Sequence, residues 1–222
     1  MNMTRAKIKT DIPDELREPL LNAALAHIPF EGWTDNTLGE AARDLDIPVG
    51  IARLAFPGGA ADMIDFLADR CDQRLAEQAK LMDLESLKIR ERIKTLIHLR
   101  LLCEEDHRES TRRGITWLAL PQNQALGLKL LYRTVDLIWR LAGDTSADFN
   151  YYTKRLTLAG VYSSTVLYWL NDDSEEFAET WAFLDRRIED VMKIEKTKMR
   201  LREICDKLPD VWRLAGKIRY RQ

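Results

Sequence analysis

The sequence predicts an all-α protein, built as a bundle of helices. Apolar residues recur along most of the chain at the three- and four-residue spacing of a helix, and no stretch shows the strict alternation of a β-strand. Two long apolar segments, 124–141 and 149–170, are joined by small and polar residues that are typical of a tight helix–helix connection. Since the second segment is apolar almost all round, we expect it to lie inside the bundle.

The start of the chain predicts three short helices in a row. A helix that opens at Asp14 is predicted to end at Gly32, a residue suited to a left-handed turn. Thr34 is predicted to cap a second helix over 35–45, and a third helix, 49–56, ends at a Pro-Gly-Gly sequence. A tight turn between the second and third helices is the plan of a helix-turn-helix module.

This segment resembles the N-terminal module of TetR-type transcriptional regulators. The matching residues are mostly structural ones: Gly32, Thr34, Leu38, Ala41, Ala42, Ile47, Pro48, Phe56 and Met63. A DNA-reading module must neutralise phosphates and reach base edges, but residues 31–62 hold two basic side chains against six acidic ones. We therefore expect a degenerate module that keeps the shape of a repressor and does not bind nucleic acid.

The rest of the chain predicts two further regions. Helical spacing continues through 60–84 and on to about residue 105, before the two long apolar segments. The predicted organisation is a degenerate helix-turn-helix module over 1–59, a helical domain over 60–192, and a basic amphipathic tail over 193–222. The fold class is therefore an all-α, TetR-family-like helical bundle.

Composition narrows the possible partners and compartments. The 222 residues include 34 basic and 36 acidic side chains, a formal net charge of −2, so no overall field attracts nucleic acid or an anionic membrane. Three cysteines lie far apart with no Cys-x-x-Cys motif, which is typical of a reducing compartment. No apolar run approaches the roughly 18 residues of a membrane span. We expect a cytoplasmic protein that is at most peripheral to a membrane.

Motifs of catalysis are missing from the sequence. Glu104 and His107 form a Glu-x-x-His spacing, which is half of the ligand set of a di-iron bundle, but no second copy accompanies it. We interpret the segment as a surface charge cluster and predict no metal site. The sequence also lacks a Gly-x-Ser-x-Gly motif, a phosphate loop and a His-Glu-x-x-His motif. We expect a binding protein with no catalytic residue and no cofactor.

The second half of the chain carries a more specific resemblance. The motifs are Leu120-Pro121-Gln122-Asn123, Trp139 with Ala142-Gly143-Asp144, Asp148-Phe149-Asn150-Tyr151-Tyr152-Thr153, and Thr180-Trp181 with Phe183-Leu184. Over residues 20–192 the chain closely resembles the COQ-nine-type accessory proteins of ubiquinone (coenzyme Q) biosynthesis, which are similar to TetR regulators in fold.

The resemblance implies a non-catalytic, homodimeric lipid-binding protein. It would bind a prenylated quinone intermediate, or another lipid, and present it to the di-iron hydroxylase that acts on demethoxyubiquinone. The hydroxylase-facing patch falls on Ile138, Trp139, Tyr151 and Tyr152, with Tyr151 where relatives often carry Trp. Such a protein would sit on the inner face of a bacterial membrane, or on the matrix side if eukaryotic. The alternative function is a TetR-type ligand-responsive repressor.

A prenyl chain needs an apolar, sparsely polar cavity, because its burial supplies most of the affinity. The residues predicted to line that cavity are Leu118, Leu126, Leu130, Leu158, Tyr162, Thr165, Val166 and Trp169. For each of them a filled core is the alternative.

The tail is strongly basic and amphipathic. Residues 193–222 hold ten basic and four acidic side chains, and two apolar stripes flank Pro209. Cationic groups beside an apolar face are typical of a helix that lies on anionic lipid. The residues predicted to contact the membrane are Leu201, Ile204, Leu208, Val211, Trp212 and Ile218. Packing against the protein's own domain or a dimer partner is the alternative.

Overall fold

The computed structural model describes residues 14–145 and 149–207, and all regular structure in these ranges is helical. The predicted all-α class is therefore confirmed. The helices are α1 (Asp14–Glu31), α2 (Asp35–Asp44), α3 (Val49–Ala55), α4 (Ala60–Lys80), α5 (Ile89–Leu102), α6 (Arg108–Leu118), α7 (Gln124–Leu141), α8 (Phe149–Trp169) and α9 (Ala178–Lys207). Short 3₁₀ turns precede α6, α7 and α9.

Local signals set the ends of the first helices. Gly32 follows α1 with a φ of +74°, a conformation that glycine adopts without a steric penalty. The hydroxyl of Thr34 accepts a hydrogen bond of 3.2 Å from the backbone N–H of Thr37, so Thr34 caps α2 as predicted. These two residues fix the turn that leads into the helix-turn-helix module.

The module and the helices that follow it share one apolar core. Buried side chains from α1 and α4, such as Leu20, Ile28 and Met63, pack together with Phe56 at the end of α3. Leu130 of α7 belongs to the same cluster. Because a single core joins the module to α7, the small N-terminal helices help to position the walls of the second half.

The α7–α8 hairpin is less buried than its composition predicts. Val166 and Trp169 of α8 lie in the interior, but Leu156 and Leu167 are exposed on the same helix. The expectation that α8 is enclosed on every side is therefore wrong for the single chain. The reason is that α8 packs on α7 along one side, while its opposite face is left to solvent.

The described residues fall into two compact units, which meet in sequence between Asp172 and Asp173. The second unit contains α9, and the hydroxyl of Ser174 accepts a hydrogen bond of 3.1 Å from the backbone N–H of Glu179 at its start. No helix in the described ranges is both long and apolar enough to cross a membrane. The predicted domain boundaries after residues 59 and 192 stay predictions.

Candidate ligand cavity

The first unit contains a cavity of about 430 Å³ between α4, α5, α6, α7 and α8. This volume lies within the range of pockets that hold small organic ligands, roughly 300–1,000 Å³. Most of the wall is apolar, and its aliphatic side chains include Ile64, Leu67, Leu101, Ile115, Leu118, Leu130, Leu131 and Val166. The arrangement is suited to an apolar ligand with few polar groups.

Helical spacing on α7 explains why this helix supplies so much of the wall. Gln124, Gly127, Leu128, Leu131 and Thr134 recur at three- and four-residue intervals, so they share one face of α7 and all line the cavity. This face belongs to the long apolar segment that the sequence predicts over residues 124–141.

Trp33 forms part of the wall through a close approach to α6. Its indole N–H donates a buried hydrogen bond of 2.9 Å to the carbonyl oxygen of Ser110. Gly114 lies one turn further along α6, where a Cβ atom would stand 3.2 Å from the indole nitrogen. Because Gly114 has no side chain, the large ring of Trp33 can pack directly against α6.

The cavity opens to solvent through an apolar rim. Leu128 of α7 and Leu167 of α8 line it and are 67% and 54% exposed, whereas Leu101 and Val166 in the wall are buried. We call this pair of leucines the opening. Because both side chains are apolar, a long apolar ligand could extend through the opening in contact with them.

A buried ionic cluster supplies a polar part of the cavity wall. Asp72 of α4 accepts hydrogen bonds from Arg100 Nε at 2.8 Å and from the Thr134 hydroxyl at 3.0 Å. Glu104, just after α5, accepts from Arg100 Nη1 at 2.5 Å and from the Thr111 hydroxyl at 2.6 Å. Arg100, Glu104, Thr111 and Thr134 also line the cavity. We call these residues with Asp72 the ionic cluster.

Within the ionic cluster, Glu104 and Arg100 stay charged at neutral pH. Burial alone would raise the pKa of Glu104, but the charge of Arg100 and the hydrogen bonds of Thr111 and Arg100 hold that pKa below its usual value. Burial would also lower the pKa of Arg100, yet nearby acidic groups hold it well above the ordinary value for arginine. The pair is therefore ionised and mutually neutralised.

Four of the eight residues predicted to contact lipid line this cavity: Leu118, Leu130, Tyr162 and Val166. The other four do not line it. Leu126 packs against the main core, Leu158 and Trp169 are buried elsewhere in α8, and the buried Thr165 hydroxyl donates to the carbonyl oxygen of Val161 at 2.8 Å. Leu126 lies on α7. On α8 the cavity is lined by Tyr162, Ser163, Val166 and Leu167, so the lining face is rotated from the stripe that also contains Leu158, Thr165 and Trp169.

The sequence did not predict the contribution of Arg100 and Glu104. Glu104 was interpreted as part of a surface charge cluster, and that interpretation is wrong because its side chain is largely buried between Arg100 and Thr111. A signal was present, since Arg100 continues the stripe of Ile93, Leu96 and Ile97, where an unpaired cation would be costly. No local pattern pointed to Trp33.

The aromatic residues predicted to face a hydroxylase occupy different environments. Ile138 is fully buried, so it contributes to the core and not to the surface. The indole N–H of Trp139 donates to the carbonyl oxygen of Lys154 at 3.1 Å, which links α7 to α8. Tyr152 is 69% exposed, and its ring meets the ring of Tyr151 edge-on at a centroid distance of 5.2 Å.

Tyr151 is held in place by polar contacts across the hairpin. Its hydroxyl lies 2.8 Å from the hydroxyl of Tyr132 and donates to Asp136 at 3.2 Å. The guanidinium of Arg155 lies 3.3 Å from the centre of the Tyr151 ring and donates to Asp136 at 2.7 Å. The surface around Tyr151 and exposed Tyr152 is therefore braced from α7 and does not depend on a single helix.

Most of the residues predicted to contact a membrane lie beyond the part of the chain that the structure describes. Leu208, Val211, Trp212 and Ile218 lie outside the described residues. Leu201 and Ile204 fall in the last part of α9, where the backbone is helical.

Comparison with known proteins identifies relatives of this chain. The family model for COQ9 matches residues 124–195. The chain is 34% identical over 202 residues to the mitochondrial ubiquinone biosynthesis protein COQ9 of Rattus norvegicus, and the match covers 88% of this chain and 64% of the relative. The human COQ9 protein is 32% identical over 202 residues, with coverage of 88% and 63%. The chain thus spans less than two thirds of the length of these relatives.

A solved structure supports the predicted fold family. The crystal structure of a TetR transcriptional regulator from Nitrosomonas europaea superposes with a TM-score of 0.66 and 24% sequence identity, and the match covers 79% of this chain and 97% of that one. The predicted TetR-like fold is confirmed. Because fold alone does not carry function, this similarity bears on architecture only.

Proposed function

We propose that this chain, a homologue of the COQ9 ubiquinone biosynthesis proteins with a COQ9 domain at residues 124–195, acts in ubiquinone biosynthesis by binding a prenylated quinone intermediate. The ligand would occupy the cavity between α4 and α8. Ten of the side chains or backbone positions that line the cavity belong to the COQ9 domain, including Leu131, Tyr162 and Val166. The coincidence of cavity and domain is the observation that carries the proposal.

The chemistry of the wall supports binding of an isoprenoid tail. Aliphatic side chains dominate the cavity, and burial of each CH₂ group contributes about 0.8 kcal/mol. A tail longer than the enclosed space could leave through the opening, where Leu128 and Leu167 offer further apolar contact. Affinity in such a site comes from desolvation, so no charged ligand group is required.

The polar groups of the cavity support a binding role and not a catalytic one. Glu104 is engaged by Arg100 and Thr111, and the Thr134 hydroxyl is engaged by Asp72. A general base works best with a pKa near the working pH, and the charge of Arg100 holds the pKa of Glu104 below its usual value despite burial, so this carboxylate is a weak base. The chain is therefore proposed to hold the intermediate without transforming it.

Presentation of the ligand to the di-iron hydroxylase would use the surface around Tyr151 and Tyr152. Exposed aromatic rings held by a rigid scaffold are effective anchors for a partner. Exposed apolar side chains of the hairpin, such as Leu156 on α8, also support assembly into a homodimer, because apolar surface of this kind is costly to leave in water.

Membrane contact is proposed for the basic tail, which would keep the protein peripheral to the inner membrane. A chain truncated after Met192 should bind anionic vesicles more weakly than the full chain in a flotation assay, because it lacks ten cationic side chains. Equal flotation of the two chains would show that the tail is not the anchor.

The alternative function, a ligand-responsive repressor, finds little support in α3. This helix stands where a repressor reads DNA, yet its exposed side chains include Ile51 and Leu54, with Arg53 as the one cation within Val49–Ala55. A gel shift at low salt with random DNA should therefore give no sequence-specific complex.

The lipid-binding proposal is tested by filling the cavity. Leu131→Trp places a larger ring into the wall from α7, and we expect it to reduce binding of a prenylated benzoquinone to the lipid-free protein at least tenfold. Leu156→Trp is the matched control, because Leu156 is exposed on α8 and does not line the cavity.

Binding is measured by calorimetric titration after both variants have been shown to melt as the wild type does. If Leu131→Trp binds the quinone as tightly as the control does, the ligand does not occupy this cavity.

A further inference from the structure

Two residues of the cavity wall each carry a polar atom that has no hydrogen-bond partner among the described residues. Tyr162 lines the cavity, and among the described residues none forms a hydrogen bond with its hydroxyl. Arg100 uses Nε and Nη1 for Asp72 and Glu104, but no described residue accepts a hydrogen bond from Nη2. A donor that faces a cavity can form a hydrogen bond with a ligand there, and a donor left unpaired in a dry site costs about 1–3 kcal/mol. A ligand could supply what is missing.

Tyr162 and Arg100 line the same cavity, together with Glu104. The charges of Arg100, Glu104 and Asp72 also influence the pKa of the Tyr162 phenol. Burial is the largest influence and raises that pKa well above the ordinary tyrosine value. The hydroxyl therefore remains a neutral O–H donor throughout the physiological range.

Charge around the two donors selects the kind of head group. Arg100 is flanked by Asp72 at 2.8 Å and Glu104 at 2.5 Å, so its positive charge is already balanced. An anionic head would meet two carboxylates, and a cationic head would meet the guanidinium. A neutral head with acceptor oxygens, such as carbonyl or ether groups on a ring, avoids both penalties.

We propose that Tyr162 and Arg100 form a head-group subsite, which binds the acceptor oxygens of a neutral ring and directs the apolar tail toward the opening at Leu128 and Leu167. The inference rests on the proposed lipid-binding function and adds an orientation and a selectivity to it. In this orientation the ring contacts Tyr162 and Arg100. The tail runs from there along the aliphatic side chains of the cavity to the opening. Because the subsite offers two hydrogen-bond donors, it should bind an oxygenated ring in preference to a plain hydrocarbon.

The test compares two probes that share a tail. One is a dimethoxybenzoquinone carrying a decyl chain, and the other is decylbenzene, which has the same chain and no oxygen. Tyr162→Phe should weaken binding of the quinone about three- to tenfold and leave binding of decylbenzene unchanged, because only a hydrogen bond to the head is lost. The ring remains in place and its hydroxyl has no hydrogen-bond partner in the part of the chain that the structure describes, so the variant should fold as the wild type does.

Tyr132→Phe is the matched control, because Tyr132 is exposed on α7 and does not line the cavity. We expect it to change neither affinity. Equal weakening of both probes by Tyr162→Phe would show that Tyr162 acts by packing, and unchanged affinity for both would show that its hydroxyl does not contact the head. Either result overturns the subsite but leaves lipid binding intact. A wild-type protein that binds neither probe would overturn the proposed function itself.

Discussion

Replacing Asp72 by Asn should destabilise the first unit more than removing one hydrogen bond to the same carboxylate does. The carboxylate of Asp72 is buried on α4 and joins three side chains from two other helices. It accepts from Arg100 Nε at 2.8 Å, from the Thr134 hydroxyl at 3.0 Å and from Arg133 Nε at 3.3 Å. The substitution keeps the shape of the side chain and removes its charge.

The size of the effect follows from what remains beside Arg100. Removing one partner of a buried ion pair costs about 3–5 kcal/mol, because the other charge is left uncompensated. Arg100 keeps Glu104 as a second partner, so we expect the lower end of that range, about 3 kcal/mol. Thr134→Val removes only a hydrogen bond to the same carboxylate and should cost about 1–2 kcal/mol.

Urea unfolding followed by circular dichroism measures both variants, with the free energy of unfolding compared at equal dependence on denaturant. The two free energies can be compared directly, because both substitutions affect the interactions of the Asp72 carboxylate. If Asp72→Asn costs no more than Thr134→Val, the charge of Asp72 contributes nothing beyond its hydrogen bonds, and our account of the ionic cluster fails.

Two further predictions concern the backbone and the pH dependence. Gly143→Ala should lower the free energy of unfolding by about 1–2 kcal/mol, because Gly143 has a φ of +89° and a Cβ atom there would stand 3.2 Å from Arg92 Nη1. Gly160→Ala, in the open part of a helix, should instead stabilise by about 0.5–1 kcal/mol, and thermal melts that rank the two variants the other way would contradict this. Because Arg100 holds the pKa of Glu104 below its usual value of 4.5 despite burial, the stability that Glu104 contributes should be complete above that pH and lost as the pH falls below it. Glu104→Gln should remove part of this acid sensitivity, and an unchanged pH profile of unfolding would count against the ion pair.

The fold could be predicted from the sequence where local chemistry decides it. Thr34 caps α2 and Gly32 supplies the left-handed turn before it, because both effects depend only on neighbouring residues. The order of the helices follows from the spacing of apolar residues. Each of α2 and α3 ends within one residue of its predicted end.

The composition of the cavity could be predicted only in part, because it depends on contacts between distant helices. Leu130 and Tyr162 belong to the two long apolar segments and were identified from them. Arg100 is different, since its place in the wall depends on Asp72, which is 28 residues away. The direction of a side chain on a helix that is apolar all round cannot be read from spacing, which is why Trp169 and Thr165 were assigned to the cavity but do not line it.

The predicted partner surface shows the same limit. Ile138 and Trp139 are adjacent in sequence, yet Ile138 is fully buried while Trp139 reaches across to the backbone of Lys154. Neighbouring residues on a helix point about 100° apart, so a motif shared with relatives does not distinguish a core position from a surface one. Tyr152, which belongs to the predicted partner surface, is exposed and therefore accessible to a partner.

Native mass spectrometry of the protein purified from a ubiquinone-producing host tests lipid binding most directly. The wild type should carry a prenylated benzenoid ring, and Leu131→Trp, purified in parallel, should carry none, because the added indole occupies the cavity. A wild-type protein that carries no lipid, or one that carries only acyl lipids in amounts equal to those in Leu131→Trp, would contradict the proposal that this cavity holds an intermediate of ubiquinone biosynthesis.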